Sequence, residues 1–368
     1  MDSVSHYCFS YLVCRGTGTA PTAKVGLAAA GIALLPDLDF LLLPVLPELA
    51  RFAFHRGPSH SLFIAVAMGL LLSPILSRWL GLRWPRAFLL CALAWTSHIF
   101  LDMCTGFGVA LWWPFSHARV SFDLLFVVDP LATLPLLVAC VWDACANWKL
   151  SVGRRRVALL GLLLWSVYAA ISFSIRSTLE REFLAELDRR GHAVLDIHLE
   201  PTPFNNQLWY LCGKTEEGFV ITYRSIWDGK RWERLTTLPQ IQEPLADFAI
   251  PPLEKKMTVV LEDWFTCRFV NPDQLHVVDL RLGKRYGWED DDAPFLFVYR
   301  LQNIGSSETR WSMEKPANRY NFGRLKSLFA RMMGSIPNQR LEPMPMPEDS
   351  SFGTNRKPLL AETSETNR

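Results

Sequence analysis

The hydrophobic pattern divides this chain of 368 residues near position 175. Ahead of that point, long apolar runs alternate with short polar stretches; behind it, the runs are short, aromatic and β-branched. A helix that crosses a bilayer needs about 20 mostly apolar residues, within a range of about 17 to 25. Four runs predict spanning helices. Ser61–Ser77 is uncharged and closes at Arg78, and Ala87–Leu101 is apolar except for His98. Leu124–Trp142 is apolar except for Asp129, and Val157–Ile175 is uncharged behind Arg154-Arg155-Arg156. Earlier, Val4–Val13 and Val25–Pro36 are each too short to span with ease. Joined by Gly16-Thr17-Gly18-Thr19, they predict a helical hairpin or two short helices, followed by an apolar run over Phe40–Leu46.

After Ile175, Leu179, Phe183, Leu184 and Leu187 recur at helical spacing inside the Arg/Glu-rich stretch Arg176–Arg190, so the last helix continues out of the bilayer. The period then shortens. Ala193–Leu199, Gln207–Cys212, Phe219–Ile226, Trp264–Val270, Leu275–Leu282 and Phe295–Leu301 predict strands of a small antiparallel domain. From Pro337 the composition is Pro, Ser, Glu and Asn, which predicts a disordered tail. The expected architecture is therefore a multi-pass α-helical membrane domain over 1–175 and a small antiparallel β-rich soluble domain over 176–312. Residues 313–368 are expected to form a helical segment and then the disordered tail. No internal repeat is present.

Charge sharpens the topology. The net charge is +2, and Lys and Arg cluster at segment ends rather than along one face, which argues against a nucleic-acid partner. Arg15 and Lys24, then Arg78, Arg83 and Arg86, then Lys149 and Arg154–Arg156 fall on one side of the alternating helices, which assigns that side to the cytoplasm. His6, Asp37, Asp39, His55, His60, the His98/Asp102 end of its helix, His117, Asp123 and Asp129 then gather at the non-cytoplasmic face, with the β domain on the same side. Of the eight cysteines, six lie in or beside apolar segments as small buried hydrophobes. A Cys212–Cys267 disulfide is compatible with an oxidising compartment. The N-terminus opens Met-Asp-Ser without a basic start or a small-residue cleavage site, so it is expected to be retained.

The chemistry centres on His55-Arg56-Gly57-Pro58-Ser59-His60, two imidazoles in a segment too irregular for a helix. Imidazole suits zinc, manganese or iron. His98 and Asp102 share a helix face at i and i+4, and ionisable groups at membrane depth are costly and tend to be functional. Asp37 and Asp39 present two carboxylates between apolar runs. His6 lies at the outer end of the hairpin. Asp129, inside an apolar segment, needs a cation, a metal or a proton. Ser59 and Ser61 read as caps of the following helix, and His117, His192, His198 and His276 as bystanders.

His6, Asp37, Asp39, His55, His60, His98 and Asp102 are thus the candidate ligands, a cysteine-free set rich enough for one or two divalent ions. Arg56 and Asp129 are the candidate catalytic residues, Arg56 steadying an anionic group and Asp129 serving as ligand or neighbour of the metal.

The joint pattern His6, Leu35-Pro36-Asp37-Leu38-Asp39, His55 through Ser61, Ser97-His98-Ile99-Phe100-Leu101-Asp102 and Trp113-Pro114-Phe115-Ser116 resembles the YdjM-like group of membrane-bound metal-dependent hydrolases. That family is described as LexA-regulated and inner-membrane associated. The likeness covers residues 1 to 135. Val128-Asp129-Pro130 and the β-rich extension resemble its longer members, in which Pro201-Thr202-Pro203-Phe204 has a loose counterpart. Where some members carry a histidine after the Asp-x-Asp pair, this chain has Phe40.

The resemblance implies a divalent-metal hydrolase, zinc foremost, in the bacterial cytoplasmic membrane. The ligand types are similar to those of zinc-dependent phospholipase C and related phosphoesterases, which is analogy only. Expected partners are the lipid bilayer and a membrane-associated or small-molecule substrate. The reading that follows is metal-activated water attacking an ester or phosphoester of a membrane-associated substrate. A membrane metal transporter or sensor with a β-rich ligand-binding module is the alternative.

Overall fold

The structure, a computed structural model, describes residues 1–46, 51, 54–145, 151–229, 232, 234–242, 261–271, 273–304, 308–314 and 322–335. Helix α1 spans Ser3–Gly16, started by the Asp2 carboxylate, which accepts from the amides of Val4 and Ser5 at 3.0 Å. The hairpin returns through α2, Ala23–Ile32, which runs on into a 3-10 helix at Pro36–Val45. A second 3-10 turn, Pro58–His60, precedes α3, Leu62–Leu80, and α4, Trp84–Met103, follows. Ser61 caps α3 by accepting from the Ile64 amide at 3.2 Å, as its position predicts.

Three segments are long and apolar enough to cross a membrane: Ala23–Val45, Leu62–Leu80 and Gly153–Arg189. The first is a correction, because α2 and the 3-10 helix together reach the length that neither has alone. Helix α4 forms as predicted but carries Arg86, His98 and Asp102 and falls outside this set. The expected span over Leu124–Trp142 is also corrected: α5 covers only Pro130–Cys145. The residue before a proline avoids the helical region while proline favours the first helical position. Asp129 accordingly stays outside and caps α5, accepting from the amides of Leu131 and Ala132 at 3.0 and 3.2 Å. Helix α6, Ser151–Arg189, is 39 residues long and includes the predicted extension beyond Ile175.

α1 sits at the centre of the helical half, where Tyr11 and Leu12 are fully buried against Leu101, Leu136, Ala158 and Trp165. α5 and α6 approach closely at Gly161, where a Cβ would lie 2.5 Å from that of Ala139, a small-residue contact that membrane helices favour. Outward, Leu70, Leu71 and Ile75 on α3, Val138 and Val141 on α5, and Leu160, Leu163 and Leu164 on α6 are half-exposed or more. An apolar exterior over a buried polar interior suits lipid rather than water.

All six predicted runs are strands. Val194–Pro201 (β1), Leu208–Thr215 (β2), Gly218–Ser225 (β3) and Thr236–Pro239 (β4) form one antiparallel sheet in chain order. Phe265–Asn271 (β5), Gln274–Lys284 (β6), Phe295–Ile304 (β7) and Glu308–Glu314 (β8) form the second. The two unpredicted strands, β4 and β8, are edges of mostly polar sequence, Thr-Thr-Leu-Pro and Glu-Thr-Arg-Trp-Ser-Met-Glu, with only Leu238 in one and Trp311 and Met313 in the other as large apolar residues.

Alternation along β2 explains the layering. Trp209 and Leu211 face Phe183 and Leu187 of α6, whereas Tyr210 and Cys212 pack with Leu280 of the second sheet and with Trp264, which directly precedes β5. Cys212 and Cys267 are both free and sit in different cores, so the pairing raised from sequence is not made. A short helix, α7, Phe322–Met332, closes on Leu208 and Trp288 through Leu328 and Met332. The tail from Pro337 lies outside the described residues.

Inside the helical half, Asp143 of α5 accepts from Arg15 Nε at 2.7 Å and from the Tyr11 hydroxyl at 2.6 Å, fully buried. Removing one partner of such a pair strands the other, whereas removing both does not. Arg15→Met should cost about 3–5 kcal/mol, and Arg15→Met with Asp143→Leu should recover most of it, as measured by thermal unfolding in detergent. Equal losses in the single and double variants would refute the pairing.

Candidate metal centre

Three elements bring four ligand groups to one point. α4 turns His98 and Asp102 inward on one face, the 3-10 helix at Pro36–Val45 delivers Asp37, and the turn Pro58–His60 delivers His60. Their donor atoms all lie within 4.8 Å of one another. The His60 and His98 Nε2 atoms are 2.9 Å apart. Asp37 Oδ1 is 3.5 Å from each of them. Asp102 Oδ2 is 3.1 Å from His60 Nε2 and 3.5 Å from His98 Nε2.

These separations provide the fit test. A tetrahedral ion with bonds of about 2.0–2.1 Å keeps its ligands about 3.3 Å apart, close to what is observed. A single proton between two facing imidazoles satisfies only that pair, and Asp102 Oδ2 has no hydrogen-bond partner. A divalent cation satisfies all four groups at once. The residues present therefore fit a metal ion, and among the described residues they form one such group.

Around these four lies a supporting ring. The Ser59 hydroxyl donates to Asp39 Oδ2 at 2.8 Å and lies 2.9 Å from His60 Nδ1. It thereby accepts the Nδ1–H and leaves the Nε2 lone pair facing the centre, the tautomer control typical of metal-bound histidines. Asp39 also accepts from the Arg56 amide at 3.2 Å and meets His55 Nδ1 at 2.9 Å. Trp95 Nε1 donates to the Ser59 carbonyl at 2.9 Å, tying the turn to α4.

On the far side, Asp102 Oδ1 contacts His6 Nε2 at 3.2 Å, Arg56 Nη2 at 3.1 Å and the Met1 amino group. The His6 ring stacks on His98 with centroids 3.8 Å apart. Arg56 adopts a left-handed φ of 57°, a costly conformation held here because its carbonyl accepts from the Ala110 amide while Nη1 donates to Thr105 Oγ1 at 2.8 Å.

The structure thus sorts the sequence-derived candidates. Asp37, His60, His98 and Asp102 converge. His6, Asp39 and His55 touch the four or their supports but are outside the converging set. Arg56 spends its guanidinium on Asp102 and Thr105, so it braces the centre rather than waiting for an anion. Asp129, expected near the metal, instead caps α5 and accepts from the Tyr168 hydroxyl of α6 at 2.7 Å, a partner that composition did not disclose. Ser59, read as a cap, is the orienting residue of His60; its place directly before a ligand histidine was the available signal. His198, read as a bystander, is buried in a second ionisable cluster.

Residues 1–179 match the family model described as YdjM inner membrane protein. Inner membrane protein YbcI of Escherichia coli (strain K12) is 37% identical over 90 residues, covering 24% of this chain and 52% of that protein. The chain thus spans about half the length of that relative. No solved structure matches. The family match takes in all four converging residues and ends before the first strand.

Metal content of the purified protein tests the assignment: His98→Ala should abolish stoichiometric binding. Ser59→Ala should weaken it about 10- to 100-fold, the usual effect of losing an orienting partner. Unchanged metal content in both variants would refute the site.

Proposed function

With residues 1–179 assigned to the YdjM inner membrane protein family, we propose that this cytoplasmic-membrane protein is a metal-dependent hydrolase acting on an ester or phosphoester of a membrane-associated substrate. The observation that carries the reading is the convergence of two imidazole nitrogens and two carboxylate oxygens, free of cysteine, beside a lipid-facing surface. A divalent ion held by such ligands, zinc foremost with manganese or iron also suited, supplies Lewis-acid polarisation and lowers the pKa of water.

The chain's own groups divide the remaining work. His60 and His98 are fully enclosed, as is Asp102, whereas the Asp37 side chain is 27% exposed, so access is from its side. Next to it Leu38, Phe40, Leu41 and Leu42 are exposed at 46–60%, an apolar ledge continuous with the spanning segment Ala23–Val45. An amphiphile lying in the bilayer reaches Asp37 along that ledge without leaving lipid. Arg56 and His6 fix Asp102, and Asp39 through Ser59 fixes His60, so the ligand atoms hold their positions as the substrate arrives.

Sidedness draws support from the opposite end of the helices. There Arg86 donates to the carbonyls of Gly18 and Thr19, Arg155 donates to that of Gly16, and Lys24 lies over Trp79. A basic end is characteristically cytoplasmic, which favours a non-cytoplasmic centre and sheets. Alkaline-phosphatase fusions after Arg190 should be active, and inactive fusions would reverse the orientation.

The activity itself is tested with purified protein in detergent against phosphoester, ester and amide substrates. Hydrolysis should vanish with a chelator, return with zinc, and fall at least ~100-fold in His98→Ala and Asp102→Asn. Hydrolysis that survives both substitutions would overturn the reading, and metal uptake into vesicles without hydrolysis would favour a transporter.

A further inference from the structure

A second group of ionisable side chains is buried where the first sheet meets the helical half. His198 and Glu200 come from β1, Asp123 from the loop after α4, Arg176 from α6 and Arg281 from β6. His198 Nδ1 lies 3.7 Å from Asp123 Oδ2, and its Nε2 lies 3.8 Å from Glu200 Oε2. Asp123, His198 and Glu200 are 7%, 8% and 3% exposed. Asp123 Oδ1, His198 Nε2 and both Glu200 oxygens have no hydrogen-bond partner among the described residues.

The neighbouring cations are committed elsewhere. Arg176 approaches Asp123 at 3.9 Å but bonds Glu180 at 2.7 Å, and Arg281 bonds Asp279 at 2.8 Å and faces Glu262 at 3.7 Å. The Trp264 ring covers one side of the imidazole, 5.7 Å between centroids. Two buried carboxylates therefore flank one imidazole. A neutral ring carries a single N–H, whereas the imidazolium carries one on each nitrogen and a positive charge that attracts both carboxylates.

This cluster bears on the end of the metal-site helix. Asp123 adopts a left-handed φ of 50° in a loop whose Phe122 and Leu124 amides donate to the Met103 and Cys104 carbonyls at 2.6 and 2.9 Å, closing α4 directly after Asp102. Glu200 rests against Gly106 so closely that a Cβ there would meet its Oε2 at 2.5 Å.

We propose that protonated His198 is a pH-sensitive latch, joining Asp123 to Glu200 and so locking the first sheet onto the cap of α4 behind the metal-ligating residues. Burial alone pushes the imidazolium pKa down, but Asp123 and Glu200 outweigh it and carry the value above 6.5. A folded-state value raised above the unfolded one gives stability that is complete below about pH 6.5 and is lost as pH rises through the folded value. The latch is closed in acid and opens in alkali, independently of what the centre does chemically.

Hydrogen–deuterium exchange of the full chain in detergent tests this, with protection factors correcting for the intrinsic pH dependence of exchange. Between about pH 6 and about pH 9, protection of the Phe122 and Leu124 amides should fall at least ~10-fold in the wild type while that of α3 stays level. His198→Gln should be low and flat across that range. Asp123→Asn, nearly isosteric, should move the transition to lower pH, because one flanking charge is gone. A flat wild-type profile, a wild-type profile in His198→Gln, or an equal fall in α3 would each overturn the proposal.

Discussion

The structure turns on one fully buried carboxylate. Asp102 sits fully buried at the end of a largely apolar helix, where an uncompensated charge costs several kcal/mol, so each of its oxygens must be answered. Oδ1 is answered by Arg56, His6 and the Met1 amino group, while Oδ2, without a hydrogen-bond partner, faces the two imidazoles at 3.1 and 3.5 Å, where a divalent cation would answer it. That demand draws α1, the 3-10 turn and the strained backbone at Arg56 onto α4. Once they are there, the positions of His60, Ser59 and Asp39 follow through short hydrogen bonds. The same requirement that would make Asp102 a burden in a simple spanning helix makes it the organiser of the site.

How much of this was legible in the sequence depended on range. Chemistry that repeats within one element could be read directly: His98 and Asp102 at i and i+4, the apolar runs of α3 and α6, and the alternation of the six predicted strands. Chemistry that depends on a distant partner could not. Asp129 looks like an orphan carboxylate until Tyr168, on another helix, is seen to donate to it. His55 and His60 look equivalent in sequence, yet the turn at Gly57-Pro58 points His60 to the centre and leaves His55 against Asp39. The edge strands β4 and β8 are short and rich in polar residues, with one and two large apolar side chains respectively, too few to stand out as runs beside their neighbours.

The two halves meet through polar contacts as well as apolar ones. β2 divides its side chains between α6 and the second sheet, so one strand holds both cores in register. His198 and Glu200, at the end of β1, meet the loop and the glycine that follow Asp102. The first sheet thus touches the cap of α4 within a few residues of the candidate ligands. The family match ends at residue 179, so the residues on the sheet side of this junction are outside it.

α6 is the piece common to both halves. At 39 residues it is roughly 58 Å long, at 1.5 Å per residue. Near one end Arg155 fastens it to the Gly16 carbonyl, and near the other Phe183 and Leu187 are embedded in the sheet core. A continuous helix held at both ends behaves as a stiff rod. The orientation of its spanning part and the position of the sheet core are therefore set by one and the same helix.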